Sequence, residues 1–287
     1  ERLVGSEMCI RDSDRGAVWV GHFQAGLDYS LYQNGLFRTY AYPPLFNSAN
    51  LSIRSFVNRG QEKVIGSRDG LFYINEATGV VKSFVKPVLT SDLILTISFY
   101  QGEYYIGTYG GGMMVLNPGT LSLKYFAQGD TELFQKGHIF CVKPDAKGNL
   151  WIGTSQGLFC YNGQTKQIKH FTSANSQLPE GNVYEVSFDS TGKGWIATET
   201  GMCIYDPASQ SLRSNVFPEG FVHRDKVRTI YEDAGHNLYF IREKGSLFTS
   251  TLTMDRFQNR SIFSTLPDNS LMSVIEDNQG WLWVACN

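Results

Sequence analysis

Residues 145–161 read DAKGNLWIGTSQGLFCY, and this stretch decides the fold. Asp145 can cap a turn with its side chain, and Gly148 can supply the positive φ that such a turn needs. Leu150–Thr154 is then a short apolar run, Ser155-Gln156 turns, and Gly157–Tyr161 is a second run. Ile139–Lys143 alternates just before it and ends at Pro144-Asp145. Asn162–Thr165 turns just after it, and Ile168–Phe171 adds a fourth run. Four strands of about five residues between Gly, Asn and Asp turns make one antiparallel unit.

The unit repeats. The phrase Trp151-Ile152-Gly153 has counterparts at Trp19-Val20-Gly21, Val64-Ile65-Gly66, Tyr105-Ile106-Gly107, Trp195-Ile196-Ala197, Tyr239-Phe240-Ile241 and Trp283-Val284-Ala285. Successive first residues stand 45, 41, 46, 44, 44 and 44 apart. Ile139, Val183, Val227 and Leu271 keep the same step of 44, as do Val142, Val186, Ile230 and Val274. Strand-like repeats of this length are the four-stranded blades of a β-propeller. The expected class is therefore all-β, with about 44 residues per blade. Asp145…Gly148…Trp151, Asp189…Gly192…Trp195 and Asp277…Gly280…Trp283 share one D-x-x-G-x-x-W turn. Blades pack face to face, so Trp19, Tyr105, Trp151, Trp195, Tyr239 and Trp283 are expected between blades rather than on a cofactor platform. No apolar stripe of helical period runs for three turns, so helices should be scarce.

Seven copies of the second strand predict seven blades. The first unit shows strands two to four (Val18–Gly21, Gly26–Ser30, Leu36–Tyr40), and the last shows strands one and two (Leu271–Glu276, Trp281–Ala285). A six-bladed ring would instead pair Leu271–Glu276 with the first unit and leave Trp281–Ala285 over. Residues 1–13 fit no part of the pattern. Glu7–Ser13 (EMCIRDS) resembles a translated sequencing adapter, so residues 1–13 are expected to be non-native and residues 14–287 to be a propeller fragment truncated at both ends.

Composition agrees. The 287 residues include 39 aromatics and 29 Gly, with 25 basic against 27 acidic side chains. A net charge of −2 offers no basic excess for a phosphate backbone, so no nucleic-acid contact is expected. The longest nearly apolar run, around Leu93–Tyr100, is far below the ~20 residues that cross a bilayer. At 42% hydrophobic and 18% charged, the chain is set to fold rather than stay disordered.

Asp145–Tyr161 resembles the two-component regulator propeller repeat. Supporting copies are Asp189–Tyr205 followed by Asp206-Pro207, Gly107–Leu116 followed by Asn117-Pro118, and Ser173–Gly181 (SANSQLPEG). The likeness is weaker at Asn58–Ile74, where Val64 replaces the aromatic. It is weaker again at Asp233–Thr249, where Ile241 replaces Gly and the turn is shifted. The resemblance implies the periplasmic sensor of a hybrid two-component regulator. In that family two propellers typically precede a β-sandwich, a membrane span and a histidine kinase, often with a receiver and a DNA-binding module. Many such sensors in gut bacteria respond to polysaccharide breakdown products. The implied partners are an oligosaccharide or an adjacent sensor domain, with a dimer in the full-length parent.

The sequence carries no catalytic motif of the common kinds. His22, His138, His170, His223 and His236 show no metal-ligand spacing, and there is no G-x-S-x-G, H-E-x-x-H or P-loop. Gly110-Gly111-Gly112 joins two strands instead of opening a helix, so it is a hairpin turn and not a phosphate cradle. Neither a metal nor a cofactor is expected. Cys141, Cys160, Cys203 and Cys286 are expected as free thiols.

Propeller function sits in the loops of one rim. The loops between second and third strands supply His22-Phe23, Arg68-Asp69, Tyr109, Gln156, Glu199 and Arg242-Glu243-Lys244. Aromatics that stack on a sugar face, beside polar groups for its hydroxyls, suit oligosaccharide recognition. Arg68, Arg242 and Lys244 favour an acidic or sulfated glycan. The connection Ala127–His138, with Thr131, Glu132 and Phe134, is a second candidate surface. A propeller lyase or hydrolase acting at the channel mouth and a structural interaction platform remain open alternatives.

Overall fold

The computed structural model describes residues 7–12, 17–22, 27–31, 37–39, 52–126, 131–214, 226–242, 247–253, 258–260, 271–277 and 279–286. They form seven antiparallel sheets, each with its strands in chain order. The fourth shows the pattern in full: Ile139–Pro144, Asn149–Thr154, Gly157–Asn162 and Ile168–Phe171. The seventh consists of Leu271–Glu276 and Leu282–Cys286, paired with each other, so the six-bladed alternative does not hold. Glu7–Asp12, set aside in the repeat reading, is the inner strand of the first sheet and pairs with Ala17–His22. The first unit therefore has four strands rather than three.

The first strand of every sheet touches the first strand of the next, and that of the seventh touches Glu7–Asp12, so the inner strands close a ring. Packing closes with them. Among the described residues the buried side chains sort into seven clusters, each made chiefly by two consecutive blades. Val18 and Val20 of the first blade meet Ile275 of the seventh, which seals the ring. No helix among the described residues is long and apolar enough to cross a membrane.

The D-x-x-G-x-x-W turn works through one carboxylate. Asp145 accepts the backbone N–H groups of Lys147 at 2.9 Å and Asn149 at 2.8 Å, and the Trp151 indole N–H at 2.9 Å. Asp189 does the same for Thr191, Lys193 and Trp195, and Asp277 for Gln279, Trp281 and Trp283. Trp therefore stands six positions after Asp because the carboxylate must span the turn and meet the indole on the returning strand. Gly148, Gly192 and Gly280 sit at φ of 78°, 81° and 84°. The sixth blade keeps this turn in place and does not shift it. His236 takes the glycine position at φ 62°, and Asp233 receives the Tyr239 hydroxyl at 2.9 Å. The second blade, which lacks the aromatic, substitutes another bond. Its Glu62 accepts the hydroxyls of Tyr73 at 2.5 Å and, from the third blade, Tyr104 at 2.6 Å.

Cys141 and Cys203 are buried free thiols and Cys160 is half-buried. Burial pushes the Cys160 thiol up to about 12 and raises Cys141 and Cys203 as well. Burial likewise raises the Tyr104 and Tyr105 phenols. In the unfolded chain these groups ionise near ~8.5 and ~10. The folded state thus holds its protons longer, and its stability is complete below pH ~8.5 and declines as pH rises toward ~12. Melting temperature should fall steadily between those limits; an unchanged melt up to pH ~11 would contradict the burial of these groups.

Candidate functional site

The site is built by a defect repeated in every blade. Where the inner strand meets the second, the register slips by one residue between Glu7 and Cys9, Ile53 and Ser55, Ile94 and Thr96, Ile139 and Cys141, Val183 and Glu185, Val227 and Thr229, and Leu271 and Ser273. A bulge of this kind leaves one residue out of the ladder and re-aims its side chain. Six of the residues so released, Arg54, Leu95, Phe140, Tyr184, Arg228 and Met272, line a central cavity of about 500 Å³.

The mouth of this cavity has two characters. An aromatic arc crosses the third, fourth and fifth blades. Ring centroids are 4.0 Å apart for Tyr109 and His138, 6.2 Å for His138 and Phe140, and 5.0 Å for Phe140 and Tyr184. The Lys226 ammonium, from the sixth blade, lies 4.3 Å from the Tyr184 ring centroid. Among the described residues, the cations Arg54, Lys143, Lys226 and Arg228 line the cavity with one carboxylate, Glu185. That carboxylate pairs with Lys143 at 3.0 Å. Burial, with repulsion from Arg68, lowers the proton affinity of the Arg54 guanidinium. Its Nε is buried without a hydrogen-bond partner.

The rim loops are tied to the inner strands by backbone bonds. The N–H groups of Arg68, Tyr109, Ser155 and Glu199 donate to the carbonyls of Ser52, Leu93, His138 and Asn182, each 2.9–3.2 Å away. This places Arg68 beside Arg54 and Tyr109 on the aromatic arc, where Tyr109 is 51% exposed. Of the described rim residues, Arg68, Asp69, Tyr109, Gln156, Glu199 and Arg242 stand outside the set that lines the cavity. Gln156 gives its carbonyl to His170 Nε2 on the outer strand at 2.7 Å, and Arg242 lies over the Phe248 ring at 4.8 Å. Asp69 and Glu199 are exposed, with Glu199 against Gly181. His22 ends its strand, while Phe23, Glu243 and Lys244 lie outside the described residues. In the second candidate surface, Thr131–Lys136 forms a short helix whose Leu133 and Phe134 are buried between the third and fourth blades, so Phe134 is a packing residue. Among the described residues no three His, Cys, Asp or Glu side chains group as metal ligands.

Arg54, Phe140, Tyr184 and Arg228 escaped the rim-loop reading because they sit on strands. One signal did mark them. They follow by one residue the uniform column of Ile139, Val183, Val227 and Leu271, and in that next column the chemistry varies from blade to blade.

These features define a β-propeller with an open, cation-lined channel and an aromatic lip. The sequence model for the two-component regulator propeller matches residues 134–156 and 265–287, so the fourth and seventh blades carry that family's repeat. No curated protein matches the chain in sequence. Among solved structures, two are extracellular domains of proposed hybrid two-component systems from B. thetaiotaomicron. One has TM-score 0.77 at 16% identity, covering 98% of this chain and 37% of that one. The other has TM-score 0.63 at 22% identity, covering 97% and 43%. YCF48 from Cyanidioschyzon merolae shares the fold at TM-score 0.72 and 11% identity, over 99% and 94%. The chain thus spans well under half the length of the two-component relatives it resembles.

Proposed function

We propose that the propeller is an extracytoplasmic, non-catalytic sensing region of a hybrid two-component signalling protein and that it recognises oligosaccharide at the channel mouth. The observation that carries this reading is the arc Tyr109–His138–Phe140–Tyr184. Phe140 and Tyr184 line the open cavity, with His138 and Tyr109 continuing the arc beyond them, so that apolar ring surface is available to pyranose C–H groups while cavity polar groups meet hydroxyls. The family repeat and the extracellular two-component neighbours support the signalling half of the proposal. Ligand occupancy would pass through the geometry of a dimer to a histidine kinase elsewhere in the parent protein, on the periplasmic side of the inner membrane.

A glycan array followed by calorimetry tests this. Binding of at least one oligosaccharide is expected, weakened about three- to tenfold by Tyr109→Ala or Phe140→Ala, which removes a stacking ring worth about 0.5–1.5 kcal/mol. Breakdown of the bound glycan would overturn the sensor reading in favour of a lyase or hydrolase. Retention of a protein partner with no glycan bound would favour an interaction platform.

A further inference from the structure

We propose that the register-slip column decides which ligand the channel accepts, with Leu95, Phe140 and Tyr184 as specificity-determining residues. These positions are uncoupled from the packing that holds the ring together. The inference rests on the ligand-binding part of the reading above and adds the side chains that choose among ligands.

Three observations carry it. The first is a contrast between neighbours on one strand. Ile94, Ile139 and Val183, just before each slip, are fully buried and belong to the inter-blade clusters. Leu95, Phe140 and Tyr184 follow by one residue, take no partner in the ladder to the second strand, and are only half-buried. Among the described residues they join none of the seven clusters. Apolar side chains that face an open cavity and support no packing keep hydrocarbon surface in water, a cost that a covering ligand removes. The second is the next layer into the channel. There the strands present Ser55, Thr96, Cys141, Thr229 and Ser273, small side chains with little to tell one ligand from another. The exception, Glu185, is already engaged by Lys143 at 3.0 Å. The third is the rim, where Asp69 and Gln156 are exposed and stand outside the cavity lining.

The bulge explains the uncoupling. A bulged residue stands outside the hydrogen-bonded ladder, so its neighbours carry both the backbone pairing and the inter-blade contacts. A change of side chain there alters what the channel presents and leaves the blades in place. The three residues sit on consecutive blades. Phe140 and Tyr184 have ring centroids 5.0 Å apart, and the Tyr184 hydroxyl accepts the Asn182 side-chain amide at 2.9 Å. The cavity of about 500 Å³ falls within the range of small-ligand sites, about 300–1,000 Å³. A molecule that fills it meets all three side chains.

The test is calorimetry on one panel of neutral disaccharides, acidic disaccharides, free amino acids and nucleotides. The quantity read is the ratio of affinities for the two panel members that wild type binds most tightly. Leu95→Gln and Phe140→Leu should each change that ratio by about fivefold or more. Both variants should melt within about 2 °C of wild type. The rim variants Asp69→Asn and Gln156→Ala should hold the ratio within about twofold. Ile94→Ala, one residue from Leu95, should lower the melting temperature by more than about 5 °C. Saccharide binding with a ratio that both slip variants leave unchanged would overturn the assignment and leave the saccharide reading standing. A ratio moved by the rim variants and not by the slip variants would also overturn it. Slip variants that melt as low as Ile94→Ala would overturn the uncoupling. An amino acid or nucleotide as tightest binder, with the ratio moved only by the slip variants, would support the column and overturn the saccharide reading. Binding of no panel member would overturn both.

Discussion

Trp151→Ala is expected to destabilise the propeller by about 3–5 kcal/mol, the range for deleting a large buried aromatic. Trp151 is 1% exposed and bridges two blades. Its ring centroid is 6.0 Å from Phe171 in its own blade, and 4.5 Å from Tyr205 and 5.8 Å from Phe188 in the next. Alanine would leave a void that rigid strands on both sides cannot close. It would also strip Asp145 Oδ2 of the indole N–H that it accepts at 2.9 Å, although Asn149 Nδ2 still reaches that oxygen at 2.8 Å. Trp151→Phe separates the two effects. It keeps much of the packing and loses the bond, and a cost of about 1–3 kcal/mol is expected. Urea melts of the two variants beside wild type provide the check. A loss below about 1 kcal/mol for Trp151→Ala would mean that the interface between fourth and fifth blades does not rest on this side chain.

The same residues show why the architecture was legible in sequence. A turn closed by Asp145 and Trp151 needs fixed spacing, so the motif survives in the fourth, fifth and seventh blades as a repeated string. Where another bond does the same work, the string fades but the period holds, as with Glu62 accepting Tyr73 and Tyr104. The sixth-blade turn looked shifted because Gly235 attracts attention, whereas the positive φ falls on His236. His236 gains a local partner there, with Nδ1 2.7 Å from Glu232 Oε1. The helix Thr131–Lys136 is too short to display a helical period, and its two buried residues, Leu133 and Phe134, are adjacent.

The site was less legible for a physical reason. Pattern reading assigns strand residues to faces by alternation, and a bulge breaks alternation without leaving a breaker residue behind. Phe140 and Tyr184 therefore look like ordinary members of buried strands, although the slip between Ile139 and Cys141, and between Val183 and Glu185, turns them toward the channel. Of the rim positions, Arg68 and Tyr109 are held near the inner strands by backbone bonds to Ser52 and Leu93, while Arg242 lies over Phe248 of its own blade.

Gly153→Val should be strongly destabilising, at more than about 3 kcal/mol, the upper end for overpacking. A methyl carbon placed on Gly153 would stand 2.5 Å from Cys141 Sγ and 2.7 Å from the Val183 carbonyl oxygen. Gly66 and Gly107 are crowded in the same way, at 2.4 Å from Ile94 Cγ2 and 2.7 Å from Ile139 Cγ2. In each case one obstacle belongs to the inner strand of the following blade, joined at Gly107 and Gly153 by Thr96 and Cys141 of the same blade's inner strand. At Gly66, Gly107 and Gly153 the last residue of the phrase is thus small because the next blade presses on it. At Gly153 the nearest hard atom is backbone and cannot rotate aside. Ala197 occupies this position in the fifth blade and is fully buried, so that interface already holds a methyl group. Gly153→Ala should therefore cost less, about 1–3 kcal/mol. Valine must push Val183 outward, and with it the adjacent bulge residue Tyr184 on the aromatic arc. Gly153→Val should accordingly weaken ligand binding at the mouth as well as lower the melting temperature, while Gly79→Ala, whose added carbon meets nothing within 4 Å, disturbs only its own turn. A Gly153→Val protein that melts within a degree or so of wild type would show that the blades can move apart freely, and that inter-blade crowding is not what keeps this column small.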